Sequence, residues 1–123
     1  MKRAILPILL MFLPILASAV TVEIDGIWYN LWDKVAQVTN RDIGFYSGSV
    51  DIPSSVTYKN VNYSVTSIKS SAFSSCSDLT SVTIPNSVTI IDSWAFAGCS
   101  SLKSVIIPNG LTIIESHTFE NCI

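Results

Sequence analysis

Phe73, Phe96 and Phe119 stand 23 residues apart, and Cys76, Cys99 and Cys122 keep the same spacing. The second half of the chain repeats itself. Residues 68–90 align without a gap on residues 91–113 and match at 14 of 23 positions, and a third copy opens at Ile114 and runs to Ile123. A fixed period of roughly 20–29 residues, with apolar residues returning in register, is what stacked solenoid coils look like in sequence. A single coil cannot bury its apolar side alone, so it depends on its neighbours. The expected fold class is a repeat solenoid, mainly β with short helical turns.

Inside each copy the spacing divides into strand and turn. Val82 and Ile84 alternate with Ser81 and Thr83, and Val105 and Ile107 alternate with Ser104 and Ile106. This is the period of a strand with one buried face. Pro85 and Pro108 end these strands, since proline brings no ladder donor. Residues 88–91 and 111–114 read as a second short strand. Residues 72–76 and 95–99 carry apolar side chains at i and i+3, which predicts one helical turn. Leu79 and Leu102 then lead into the next long strand.

Upstream of the regular copies, residues 20–31 read as a hairpin closed by Asp25-Gly26, a favoured type I′ turn. Residues 35–39 follow as a third short strand, and residues 40–44 as a turn. Residues 20–44 are thus expected to form an N-terminal β-hairpin cap over one end of a solenoid spanning residues 45–123. Its first repeat, residues 45–67, is degenerate: residues 49–56 match residues 81–88 and 104–111, but at an offset of 32 instead of 23. The nine extra residues predict a looped-out hairpin near residues 58–63. Repeats 68–90 and 91–113 and the partial repeat 114–123 complete the expected domain.

The chain opens on Met1-Lys2-Arg3, continues as an apolar run over residues 4–16 and reaches the small-residue pattern Ala17-Ser18-Ala19. That is the pattern of a secretory signal peptide, residues 1–19. The run is shorter than the ~20 residues a membrane span needs and contains Pro7 and Pro14, so no membrane span is expected after cleavage. The remaining chain carries five basic residues (Lys34, Arg41, Lys59, Lys69 and Lys103) against nine acidic ones, a net charge of −4. Nucleic-acid binding needs a basic stripe, and these residues form none. The expected location is secreted or at the cell surface, with the periplasm as a further compartment.

The three cysteines occupy one phase of successive coils, so their side chains point in parallel. Parallel Cβ vectors hold sulfur atoms apart, and buried free thiols are expected in place of a bridge. Zinc wants four converging ligands, and the single histidine, His117, cannot supply them with these cysteines. No cofactor or metal is expected.

The pattern Ile-x4-Phe-x2-Cys-x2-Leu-x2-Val-x-Ile-Pro-x2-Val/Leu, carried through residues 68–122, resembles the BspA-like leucine-rich repeats of bacterial surface antigens. The hairpin and the Val-x-Ile-Pro strand before it also fit N-terminal regions of that family. The resemblance implies a secreted or surface-attached leucine-rich-repeat solenoid that binds proteins, in some members host matrix or plasma glycoproteins such as fibronectin and fibrinogen. It implies no catalysis, and the family has no shared active-site motif to transfer.

Candidate binding residues therefore come from strand geometry. Ser49, Asp51, Ser81, Thr83, Ser104 and Ile106 should face away from the buried ladder and line adjacent rungs of one exposed sheet surface, with Ile106 as a small apolar anchor. Trp94, which shares its phase with Ser71 and His117, is a further exposed candidate. No recognisable motif positions a nucleophile for His117, so the chain is read as non-catalytic. Two functions fit: an adhesin-like protein-binding module, or a capping segment of a larger surface protein, cut short at Ile123 and without a ligand of its own. In either case the last long strand, near Leu102 to Ile107, is expected to be an open edge that invites self-association or a covering partner chain.

Overall fold

The structure, a computed structural model, describes residues 19–123, so all but Ala19 of the expected signal peptide lies outside the described residues. Strands β1 (Val20–Ile24), β2 (Ile27–Trp32) and β3 (Val35–Thr39) form an antiparallel meander. Its two-residue turns have positive φ at both positions: 50° and 85° at Asp25 and Gly26, and 44° and 62° at Asp33 and Lys34. Such turns match the right-handed twist of the strands they join. Next come β4 (Gly48–Asp51), β5 (Ser55–Tyr58) and β6 (Val61–Ile68). The extra residues of the degenerate repeat form the β5–β6 hairpin, turning at Lys59 and Asn60 with φ of 49° and 65°.

The regular coils contribute β7 (Leu79–Thr83), β8 (Ile90–Ile91), β9 (Ser104–Ile106) and β10 (Ile113–Ile114). Two sheets result. The larger runs β1-β2-β3-β6-β8-β10, with β5 also paired to β6, and is parallel from β3 onward. The smaller is the parallel sheet β4-β7-β9. The meander thereby joins the solenoid through β3, which lies beside β6. The second strands of the coils are shorter than residues 88–91 and 111–114 suggest, only two residues each.

The expected helical turns do not form; no helix is present among the described residues. Residues 72–76 and 95–99 instead fold as chains of tight turns, with amides donating three residues back, as in Ala72 to Lys69 and Cys76 to Phe73. The reason is backbone handedness. Ser71 and Ser75, Trp94 and Gly98, and His117 and Asn121 all have positive φ, and a left-handed residue at both ends of each segment stops a right-handed helix from propagating. The remaining amides turn toward the next coil. Ser71, Phe73 and Ser75 donate to Ser93, Ala95 and Ala97, and Trp94, Phe96 and Gly98 donate to Ser116, Thr118 and Glu120. Successive coils are therefore hydrogen-bonded through their turns as well as their sheets, so buried backbone polar groups stay paired.

Between the sheets runs a column of aromatic rings. Phe73 and Phe96 stack at 4.9 Å and Phe96 and Phe119 at 5.4 Å, each pair within 6° of parallel. Tyr46 heads the column, 4.7 Å from Phe73. Its buried hydroxyl donates to the carbonyl of Thr39 at 2.7 Å and accepts from the amide of Trp28 at 2.9 Å, tying the degenerate repeat to the meander. Burial pushes the Tyr46 hydroxyl up to about 12. Val82, Ile84, Val88, Ile91, Cys76 and Cys99 complete the core around the column.

Burial fades in the last coil. Ile84 is buried, but its equivalent Ile107 is 43% exposed, and Val105, Leu102 and Cys122 are only half-buried. Ile107 was expected on the buried face by its alternation with Ile106. Alternation aims a side chain at the core, but only a following coil closes over it.

Candidate protein-binding face

The outer face of β4-β7-β9 is built by register. Ser49 pairs with Ser81 and Ser81 with Ser104, and Asp51 pairs with Thr83 and Thr83 with Ile106. Because strand side chains alternate, these six residues share the face opposite Val50, Val82 and Val105. The sequence-expected residues Asp51, Ser81, Thr83, Ser104 and Ile106 are thus brought together as two parallel rows. Ser49 and Ser81 share a hydroxyl–hydroxyl hydrogen bond of 2.7 Å. Ile106, at 61% exposed, ends the second row as an apolar side chain beside short polar ones. Ser81 and Thr83 on the central strand are half-buried by their neighbours, so the exposed groups are Ser49 and Asp51 on one flank and Ser104 and Ile106 on the other.

Trp94 is not part of this face. It sits in the turn segment and is 41% exposed, with its ring 4.4 Å from that of His117 one coil on. Trp94 is exposed, and its ring lies against the following coil and not over its own. His117 in turn lies 3.5 Å from Glu120, three residues further along the same turn. This is an exposed pair of the kind that contributes little to stability.

Two of the three thiols bond across coils in the same way. Cys99 donates to the carbonyl of Phe73 and Cys122 to that of Phe96, both at 3.0 Å. All three are free, and Cys122 is half-buried where the other two are buried. Burial pushes the Cys99 thiol up to about 12 and raises Cys76 as well. Raised thiols are poor nucleophiles and poor metal ligands at neutral pH. Among the described residues no group of His, Cys, Asp and Glu is arranged to hold a metal ion.

Phe45 and Arg41 escaped the sequence reading. Phe45 is 66% exposed and Arg41 half-exposed, and both line an open cleft of about 370 Å³ beside β4. The available signal was two large apolar residues, Ile43 and Phe45, at the junction of the turn over residues 40–44 and the degenerate repeat.

The family model for BspA type leucine rich repeat regions matches residues 48–123 in six copies. A search of curated proteins finds no match. Among solved structures, a leucine-rich repeat protein from Bacteroides ovatus is similar at a TM-score of 0.76 and 35% identity, over 82% of this chain and 27% of that one. A leucine rich cell surface protein from Faecalibacterium prausnitzii is similar at 0.70 and 31% identity, over 86% of this chain and 29% of that one. A leucine-rich repeat protein from Bacteroides capillosus is similar at 0.64 and 29% identity, over 79% of this chain and 93% of that one. The chain thus spans less than a third of the first two and nearly all of the third. With the family pattern running through every coil and the same solenoid in these structures, the chain belongs to the BspA-type leucine-rich repeat family.

Proposed function

We propose that the chain is a secreted or cell-surface protein-binding module, adhesin-like and non-catalytic, that meets an extracellular protein through Asp51, Ser81, Thr83, Ser104 and Ile106. In this reading residues 1–19 direct export, residues 20–44 cap the solenoid and residues 45–123 carry the face. The row Asp51–Thr83–Ile106 carries the reading: three rungs held at strand spacing by a parallel sheet, ending in an exposed branched side chain. Such rungs are rigid before binding, so little side-chain entropy remains to be lost on contact. A standard interface takes roughly 800 Å² from each partner, so a partner covering these three rungs must also spread onto neighbouring surface. Host glycoproteins are the candidate class, by the family resemblance. Surface plasmon resonance over immobilised fibronectin and fibrinogen tests the idea. Binding should weaken at least tenfold in Ile106→Glu and stay within twofold in Lys69→Ala. Binding indifferent to Ile106→Glu would remove the face from consideration.

A second reading is favoured by one observation, the share of 27% and 29% that the chain spans of the first two similar structures. Here the chain is a structural capping segment of a larger surface protein. An in-frame continuation of the 23-residue pattern downstream in the gene supports it, and its absence counts against it.

A further inference from the structure

The small sheet has an outer edge at β4 whose hydrogen-bonding groups are arranged for a partner. Toward β7, β4 uses alternate residues: Gly48 donates to Asp78 at 2.9 Å and Ile52 to Thr83 at 3.0 Å, with Val50 between them in register. In a parallel ladder the intervening residues turn their N–H and C=O groups the other way. Those residues are Ser49 and Asp51. Among the described residues neither has a backbone partner on that side. Natural sheets usually cover or blunt such an edge, because it is a template for another strand. This one opens instead onto the cleft of about 370 Å³, whose lining includes Ser47, Ser49 and Asp51 together with Asp25, Arg41 and Phe45.

The walls of that cleft have a readable chemistry. Arg41 is already engaged: its Nε donates to the carbonyl of Ile43 at 3.3 Å, its Nη1 reaches the carbonyl of Gly26 at 3.5 Å, and its guanidinium lies 5.7 Å from the centre of the Tyr46 ring. Asp25 and Asp51 have no cation within salt-bridge distance among the described residues. The cleft thus offers two free carboxylates and one exposed aromatic ring beside two unpaired backbone donor–acceptor sets. Strand addition draws affinity from main-chain bonds and selectivity from the side-chain environment.

We propose that the outer edge of β4, with Asp25, Phe45 and Asp51, is a binding site for an extended peptide segment bearing a basic side chain, which joins the small sheet as a fourth strand. The basic group lies between the two carboxylates, and a neighbouring apolar side chain covers Phe45. This site is the edge of the sheet, not its outer face, so it needs neither Thr83 nor Ile106.

The test uses the ¹⁵N-labelled full chain and blocked octapeptides of alternating Thr and Val with a central Lys, Ala or Glu. The Ser49 and Asp51 amides should exchange quickly in the free chain and at least tenfold more slowly when the Lys peptide saturates it, with shift changes centred on β4. The Lys peptide should bind at least tenfold more tightly than the Glu peptide. Asp51→Lys should reverse that order, and Phe45→Ala should weaken all three peptides. Slow exchange at Ser49 and Asp51 in the free chain would mean that the edge is already covered, by this chain or a second copy, and overturns the proposal. So do shift changes centred on Ser81, Thr83 and Ile106, an absence of binding by every peptide, or affinities that ignore the central charge.

Discussion

The Cys99 thiol donates to the carbonyl oxygen of Phe73 at 3.0 Å, across the boundary between two coils. Cys122 repeats the contact with Phe96. Cys99 and Cys122 thus each bond the carbonyl of the preceding coil's phenylalanine, whereas Cys76 has the carbonyl of Ser74 in its own turn at 3.9 Å.

That contact predicts chemically quiet thiols. At pH 8 in native buffer, iodoacetamide should leave Cys76 and Cys99 unmodified over the time in which it labels the unfolded chain completely, because burial holds both as neutral thiols. Cys122, half-buried, should react first. Peptide mapping reads the order directly. Recovery of a Cys76–Cys99 linked peptide would contradict the parallel arrangement of the column.

The same burial makes stability fall in alkali. Desolvation raises Cys99 from an ordinary 9.0 to about 12 and Tyr46 from an ordinary 10.0 to about 12. Above pH 9 the unfolded chain releases these protons first, so the folded state binds more protons and loses stability as pH rises. The slope is at most ~1.4 kcal/mol per pH unit for each group. Urea midpoints should be flat from pH 7 to 9 in this respect and drop from pH 9 toward 12. Cys99→Val, although less stable at neutral pH, should show a shallower alkaline decline. An unchanged slope in that variant would count against Cys99 as a source.

Ring position sets the cost of truncation. Phe96 is fully buried between two rings, whereas Phe119 is half-buried and stacks on one. Phe96→Ala should lose about 3–5 kcal/mol, comparable to the stability of a small domain. Phe119→Ala should lose less. Urea denaturation of both variants checks the order, and equal losses would show that the column is not what holds the last coil.

Ser75, Gly98 and Asn121 hold one phase with φ of 62°, 74° and 59°. A β-carbon at Gly98 would meet Ser75 at ordinary contact distance, 3.5 Å, so Gly98→Ala carries mainly the left-handed backbone penalty of ~1–2 kcal/mol. Ser75→Gly should be neutral or stabilising for the converse reason. Thermal melts of the two variants should move in opposite directions or leave Ser75→Gly unmoved. A destabilised Ser75→Gly would mean that its side chain matters more than its backbone.

The outer edge of β9 predicts self-association of the 123-residue chain. Ile106 donates inward, toward Val82, while the amides of Val105 and Ile107 face the open edge beside exposed Ile107, Ile113 and Ile114. Sedimentation coefficients should rise with concentration, and the Val105 and Ile107 amides should gain protection in the associated form. A monomer at every concentration, with both amides exchanging freely, would refute this.

The 23-residue spacing by itself determined the stacked coils, the Phe and Cys columns, the proline-ended strands and the outward rows that end at Ile106. These follow from translation: whatever one coil places inside, the next places inside at the same height, so i and i+23 settle each other. The type I′ turn at Asp25-Gly26 was legible for a local reason, since two residues with positive φ need no distant partner. Tertiary structure alone decided what has no repeat to copy. Tyr46 heads the aromatic column although its distance from Phe73 is 27 residues, because the meander and not a preceding coil receives its hydroxyl. The turn segments carry helical spacing yet become tight turns, because the left-handed residues at their ends let every second amide reach the next coil. Ile107 alternates like Ile84 and is nevertheless exposed, since burial belongs to the pair of coils and not to the strand. Phe45, Arg41 and the open groups of Ser49 and Asp51 are near in sequence, but they share a cleft with Asp25 only because the β1–β2 turn folds back beside β4, which no local pattern encodes.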